Sequence, residues 1–318
     1  MSNWVFYNSK LKYRDEYDDL NTPWAGHTSF AYDLVRNLNP GVIVELGTHK
    51  GTSFYSMLEA LRDIKSNNAA YAVDSWQGDE HAGTSESGYN PEEVYSFVTS
   101  MVRKYYAEQN VHLVRKFFSE AAKDFEKGSI NLLHIDGLHT YEAVKEDYET
   151  WSPKLAKDSV VLFHDIGVAD FGVNKLWNAI NKDFDYVFEF RHSYGLGVGI
   201  KGKKFTDILK SATECPDLVR EYYNSVFLQN YSEAKLHATE KAMMEVEKRL
   251  PEILHLRDEI KNHAEENSVL KRQIAILQKR SDDSEELYTS AKRQLDQLAS
   301  RKLVRIYRKV MRTMGRDI

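Results

Sequence analysis

The stretch from Ile130 to Ile166, INLLHIDGLHTYEAVKEDYETWSPKLAKDSVVLFHDI, constrains the fold more than any other part of the chain. Two short apolar runs, Asn131–Ile135 and Val160–Phe163, are each followed by an acid, Asp136 and Asp165. A helical segment of about twenty residues separates the runs. Two buried parallel strands joined by a crossover helix have this pattern, because parallel neighbours cannot be joined by a tight turn. Open α/β sheets bind ligands at the C-terminal ends of their strands. The pattern therefore predicts two acids facing one cleft, where they hold a metal ion or a polarised substrate.

An earlier strand–turn–helix has the same character. The β-branched run Val42–Leu46 leads into ELGTHKG, and a helix is predicted over Ser53–Ile64 with Thr52 or Ser53 as its cap. Glycines in such a turn let a ligand approach the backbone. The dinucleotide fingerprint G-x-G-x-x-G is absent, since Gly47 and Gly51 are separated by a segment that includes His49. The next strand, Ala70–Val73, ends in Asp74, where an acid can accept from ribose hydroxyls; a plain strand end with an incidental acid is the other reading. Further strands are predicted at Val111–Val114, Ser159–Phe163, Tyr186–Phe190 and Leu196–Ile200. Only RHSYG separates the last two, which makes them an antiparallel hairpin.

With 318 residues the chain exceeds one average domain, and its last third differs from the rest. The organisation expected is a globular domain over residues 1–235, a coiled coil over 236–299 and a basic amphipathic tail over 300–318. The net charge of −5 and isoelectric point near 6.1 argue against nucleic acid as a partner. Cys215 alone cannot form an internal disulfide, and the N-terminus lacks the apolar core of a signal peptide. No run approaches the roughly 20 apolar residues of a spanning helix, so a cytoplasmic protein is expected.

From Val246 a 4,3 pattern runs through Ile253, Leu256, Ile260, Leu270, Ile274 and Leu277, then Tyr288, Ala291, Leu295 and Leu298. It predicts a coiled coil with a weak centre near Ser281–Ser284, and Asn267 on the seam favours a parallel dimer. A single amphipathic helix packed on the globular domain is the competing reading. In the tail, Leu303, Ile306, Tyr307, Val310 and Met314 form an apolar stripe among Arg and Lys. Such a helix lies on an anionic membrane surface or docks on another protein.

The blocks ELGTHKG, AVDSWQGDEHAG, LLHIDGLHTYEAVKEDYETW, VVLFHDI and FGVNKLW, taken in order, resemble the class I S-adenosylmethionine-dependent methyltransferases of the macrocin O-methyltransferase type. The resemblance covers residues 24–200 and is nearest to bacterial proteins encoded with polysaccharide and O-antigen glycosyltransferases. It implies an α/β fold with a Rossmann-like, mostly parallel sheet and an antiparallel last strand, here followed by the helical extension. It implies S-adenosylmethionine as cofactor, with Glu45, Gly47, Thr48 and Gly51 around its methionine part and Asp74 on its ribose. Ser75 and Trp76 would lie beside the adenine, unless Trp76 is a core or lid aromatic. Ser119 would meet the adenine amine, or is simply a helix N-cap.

Relatives of this branch hold a divalent cation with acids after strands four and five. By that resemblance Asp136, His164 and Asp165 would bind Mg2+, with His164 standing in place of an acid. Asp136 and His139 would be catalytic, His139 as a base near neutral pH. The plainer alternative has Asp136 bonding substrate directly and His139 satisfied structurally; His134 reads as a core residue. Asp79, Glu80 and His81, in the small-residue loop Gln77–Tyr89, and the segment Thr22–His27 are placed to reach the cleft. The activity implied is methyl transfer to a hydroxyl of a sugar or glycan in bacterial surface polysaccharide biosynthesis. The coiled coil would give a homodimer or higher oligomer, and the tail would touch a glycosyltransferase or the inner face of the membrane. A scaffold with a non-catalytic domain is the alternative, and cofactor binding separates the two.

Overall fold

A computed structural model describes residues 4–7, 9–17, 19–78, 89–280 and 285–313. The chain divides into two compact units, residues 1–232 and 233–318. In the first unit, β1 (Val42–Leu46), β2 (Ala69–Asp74), β3 (Val111–Arg115), β4 (Ile130–Ile135), β5 (Leu155–His164), β6 (Tyr186–Phe190) and β7 (Leu196–Lys201) form one sheet. The strand order is β3-β2-β1-β4-β5-β7-β6. The first five strands pair in parallel, and β7 runs antiparallel between β5 and β6. A mostly parallel, Rossmann-like sheet that closes in an antiparallel hairpin is the fold expected from the sequence.

The runs are apolar throughout because both faces of the sheet are covered. Successive side chains point to opposite faces. Ile43, Leu132 and Val160 join one core with α1 (Thr28–Leu38) and α2 (Thr52–Asp63). Their neighbours Val44, Leu133 and Val161 join a second core with α5 (Tyr141–Trp151) and α6 (Gly172–Ile180). The order is completed by α3 (Pro91–Tyr105), the short α4 (Phe118–Ala121) and α7 (Lys203–Ala212).

Three local expectations are corrected. The crossover between β4 and β5 is shorter than about twenty helical residues; α5 has 11 residues and gives way to a 3-10 turn over Ser152–Lys154. Pro153 has no N–H to continue the helix. β5 then begins at Leu155, ahead of the predicted Ser159; Lys157 and Asp158 interrupt the apolar pattern and hide the strand's start in the sequence. The helix α2 is capped by Gly51, in the left-handed region at φ 91°, with no side-chain bond from Thr52 or Ser53.

The helix α8 (Pro216–Arg280) starts in the first unit and continues into the second without interruption at Pro251; α9 spans Glu285–Thr313. The seam positions Val246, Ile253, Ile260 and Leu270 are exposed. Ser281 and Ser284, the side chains of Leu277, Tyr288 and Ala291, and Met314 lie outside the described residues. Among the described residues, no helix is long and apolar enough to cross a membrane.

The start of α8 is joined to α1 by a buried acid. Asp33 accepts from the Tyr223 hydroxyl at 2.7 Å and from the Tyr7 N–H at 3.2 Å. Burial pushes its carboxyl up to about 7 against the pull of those bonds. The native state therefore holds this proton more tightly than the unfolded chain, whose Asp titrates near ~4. The group's contribution to stability is greatest at low pH and declines as pH rises from about 4 to about 7, by an order of a few kcal/mol. Replacing Asp33→Asn removes that titration. Thermal melts across this range should show the variant gaining on the wild-type protein as pH rises; parallel curves would contradict the assignment.

Candidate active site

The sheet register assembles the cleft. Leu46 pairs with Val73 and with Ile135, and Ile135 pairs with Phe163. The residues that follow, Gly47, Asp74, Asp136 and His164, therefore emerge along one edge. A cavity of about 810 Å3 lies there, at the switch in strand order between β1 and its neighbours. Gly47, Thr48, Gly51, Asp74 and Ser75 line one end; Asp136, His139, His164 and Asp165 line the other.

Gly47 is required by close approach. Its φ is +88°, and a Cβ there would stand 1.9 Å from the Asp136 carbonyl oxygen. The N–H of Asp136 donates to Leu46 O at 2.9 Å, which holds the two strand ends together. Across the turn, Asp74 accepts from the His49 N–H at 2.8 Å through Oδ2 and from the Trp76 N–H at 2.7 Å through Oδ1. Burial raises its pKa, opposed by these two bonds. Each carboxylate oxygen keeps a second lone pair for a ligand hydroxyl.

Three of the residues expected around the cofactor do not line the cavity. Trp76 is fully buried, packs against Tyr95 and donates its indole N–H to His49 O at 2.9 Å. It is the core aromatic of the two readings, fixing the turn from beneath. Ser119 is exposed within α4 and makes no N-cap there; Phe117 is the capping residue, and Phe117 and Phe118 line the cavity instead. Glu45 lies fully buried behind the lining.

Glu45 ends a chain of hydrogen bonds from the cavity wall. Trp24, which lines the cavity, donates its indole N–H to His134 Nε2 at 3.1 Å. An indole can only donate, so Nε2 is the bare nitrogen and the proton sits on Nδ1. That N–H donates to Glu45 Oε2 at 2.9 Å, while Glu45 Oε1 is buried without a partner. His134, expected as a core residue, is core and also bridges two walls of the site.

At the other end two acids meet two imidazoles. His139 Nε2 lies 2.8 Å from Asp165 Oδ2 and 3.8 Å from Asp136 Oδ1. Its ring stacks on Phe171 with centroids 4.5 Å apart, and its carbonyl accepts the Gly172 N–H at 2.7 Å. His164 Nδ1 lies 3.2 Å from Asp165 Oδ2 and 3.5 Å from Asp136 Oδ1. His164 Nε2 is 3.1 Å from Ser193 O, and a carbonyl can only accept, so this nitrogen carries a proton. Ser193 O also accepts from His27 Nε2 at 3.2 Å.

Among the described residues, the donor atoms grouped closely enough for a metal are those of Asp136, His139 and Asp165, within 4.8 Å of one another. The expected set had His164 in place of His139. Asp165 Oδ1 is buried with no hydrogen-bond partner, which leaves a strong acceptor for a cation. Burial opposes charge on both rings, but the carboxylates outweigh it and hold His139 up at about 9 and His164 at about 10. The reciprocal effect lowers Asp136 and Asp165, again against burial. In this arrangement the carboxylates thus favour the charged form of His139.

The sequence did not single out Phe117, Phe118, Phe171 or Tyr194, all of which line the cavity; from the segment Thr22–His27, expected to reach the cleft, Thr22, Pro23 and Trp24 line it. Tyr194 and Ser193 sit in the RHSYG hairpin at φ 67° and 49°. That loop was visible as a connection, and its aromatic and imidazole content was the available signal. Asp79, Glu80 and His81 lie outside the described residues.

Residues 44–166 match the family described as "Methyltransferase domain". The match covers less than half of the chain, and over those residues the chain is similar to methyltransferase domains. The chain is also 40% identical over 194 residues to the protein y4gI of Sinorhizobium fredii, a match covering 59% of this chain and 20% of that one. It therefore spans about a fifth of the length of that curated relative. Among solved structures, a Geobacter sulfurreducens methyltransferase is 14% identical with a TM-score of 0.41, covering 55% of this chain and 78% of its own. The S-adenosylhomocysteine-bound Podospora anserina methyltransferase is 15% identical at a TM-score of 0.43, over 60% and 85% of the two chains. A TDP-rhamnose 3'-O-methyltransferase of calicheamicin biosynthesis is 19% identical at 0.42, over 56% and 79%.

The two raised imidazoles give a sign to the pH response. Both folded values lie above the ordinary histidine value of ~6.5. Their charge contributes stability that is fully present below about 6.5 and lost as pH rises through about 9 to 10. In chelator-treated protein, NMR titration should find both rings protonated at neutrality. Titration of either near 6.5 would show that the carboxylates do not hold it.

Proposed function

We propose that this protein transfers the methyl group of S-adenosylmethionine to a hydroxyl of a sugar or glycan. The observation that carries the reading is the placement of Gly47, Asp74 and the Asp136/His139/Asp165 cluster along one cavity in a methyltransferase-type domain. Asp74 would accept the ribose hydroxyls, while the Gly47–Gly51 turn and the buried Glu45 lie under the methionine part. Ser75 and the aromatic pair Phe117 and Phe118 would flank the adenine, in place of Trp76 and Ser119.

In the reaction, the acceptor oxygen attacks the methyl carbon in line. The O–C bond forms as the C–S bond breaks, and its electron pair neutralises the sulfonium to leave S-adenosylhomocysteine. The acceptor's proton must leave as well. Asp136, His139 and Asp165 would hold a divalent cation such as Mg2+, which acidifies a hydroxyl bound to it. A nitrogen bound to such a cation would have no lone pair left for a proton, so with His139 among the ligands the acidified proton would leave through solvent. Asp136 orients the hydroxyl, and holding the two substrates in register supplies much of the acceleration.

The acceptor class is inferred from the resemblance to polysaccharide-cluster enzymes, which also suggests surface-polysaccharide biosynthesis and a cytoplasmic location. The TDP-rhamnose enzyme is a neighbour of the same kind. The seam along α8 and α9 is inferred to pair with a second copy, and sedimentation equilibrium would report the dimer.

Calorimetric titration of S-adenosylmethionine into the full-length protein, with and without magnesium, tests the reading. Micromolar binding is expected in the wild-type protein, with loss of at least about a hundredfold in Asp74→Ala, which removes charge-assisted hydrogen bonds of ~1.5–3 kcal/mol each. His139→Ala should bind the cofactor normally and respond less to magnesium. Absence of cofactor binding in the wild-type protein would favour the scaffold.

A further inference from the structure

The last turns of α9 separate two kinds of side chain completely. At about 100° per residue, Leu303, Val304, Ile306, Tyr307, Val310 and Met311 fall within an arc of about 160°. Arg301, Lys302, Arg305, Arg308, Lys309 and Arg312 occupy the opposite arc, about 120° wide. Between Asp296 and Thr313 there is no acid at all. The basic residues are exposed; on the apolar arc Leu303, Val304 and Tyr307 are exposed as well, at 51%, 48% and 56%, and Ile306, Val310 and Met311 are partly so.

We propose that residues 300–313 are an in-plane anchor for an anionic phospholipid surface. The apolar arc enters the boundary of the acyl chains, and the basic arc remains at the level of the phosphates. At ~1.5 Å per residue the segment is about 20 Å long, against a hydrocarbon core of about 30 Å, so it lies on the bilayer and does not span it. Each alternative occupant leaves one arc unsatisfied. A coiled-coil partner would use a narrow seam flanked by charges of both signs; this arc is wide and its flanks carry one sign. A nucleic acid would neutralise the basic arc and leave Leu303, Val304 and Tyr307 in water. The anchor is independent of the catalytic reading and holds for an enzyme or a scaffold.

Co-sedimentation of the full-length protein with vesicles tests it. Vesicles of phosphatidylcholine with about 30% phosphatidylglycerol should bind the protein at least about tenfold more tightly than phosphatidylcholine alone, and added salt should weaken the binding. Arg305→Glu, Arg308→Glu and Lys309→Glu together should reduce binding to the anionic vesicles at least about tenfold. Leu303→Ser with Tyr307→Ser should also weaken it severalfold while leaving every charge in place. Circular dichroism confirms that each variant keeps its helix. Three results would overturn the proposal: no sedimentation with anionic vesicles, binding indifferent to charge reversal, or binding that depends on charge alone. The last would point to an extended polyanion such as RNA as the partner.

Discussion

Asp136 and Asp165 cannot lie side by side in a half-buried cleft unless positive charge stands between them. Burial favours their neutral forms, and each also repels the other. The imidazoles of His139 and His164 reverse the balance and keep both acids ionised. Much of the surrounding structure serves to hold those two rings. Phe171 and Gly172, at the start of α6, fix His139, and the hairpin carbonyl of Ser193 fixes His164. Removing one cation from such a cluster leaves an uncompensated carboxylate, a change that costs about 3–5 kcal/mol when the pair is buried. A bound divalent cation would answer the same electrostatic need with a different charge.

The hairpin that supplies Ser193 is itself strained. Ser193, Tyr194 and Asp165 all have positive φ without being glycine, a state that costs on the order of 1–3 kcal/mol per residue. Several bonds offset it. Ser193 O accepts from His27 and His164, the Gly167 N–H donates to Tyr194 O, and His192 Nε2 lies 3.1 Å from Gly26 O. Strain is thus concentrated where the cavity wall must present a particular tyrosine and a particular carbonyl. On the other wall, the Trp24–His134–Glu45 chain links a cavity-lining indole to an acid behind the Gly47–Gly51 turn, through a histidine with a fixed tautomer.

The antiparallel β7 explains why the hairpin reaches the site at all. A sixth parallel strand would have sent its connection to the far end of the sheet. Because β7 runs back beside β5, the β6–β7 turn lies at the same edge as Asp136 and His164. The second unit follows other rules: its helices keep apolar residues in water, and its tail sorts charge from hydrocarbon by helical phase alone.

The strands, the closing hairpin and the edge at which the acids emerge were legible in the sequence, since apolar runs of this length must be buried and an acid after such a run must emerge at its end. Val42–Leu46 and Tyr186–Phe190 have the predicted limits. Tail amphipathicity was legible for a similar reason, because helical phase depends on sequence position and nothing else. Which side chains face the cavity was decided only by tertiary structure. Trp76 and Ser119 have suitable neighbours in sequence, yet a left-handed backbone at Trp76, φ 52°, turns its ring into the core, and Phe117 and Phe118 line the cavity where Ser119 does not. His139 and His164 looked interchangeable as ligand and base. Their surroundings differ: His139 stacks on Phe171 beside the carboxylates, while His164 is also bound to a carbonyl 29 residues away. Sequence spacing fixes where a strand ends; through-space partners fix what the residue at that end can do.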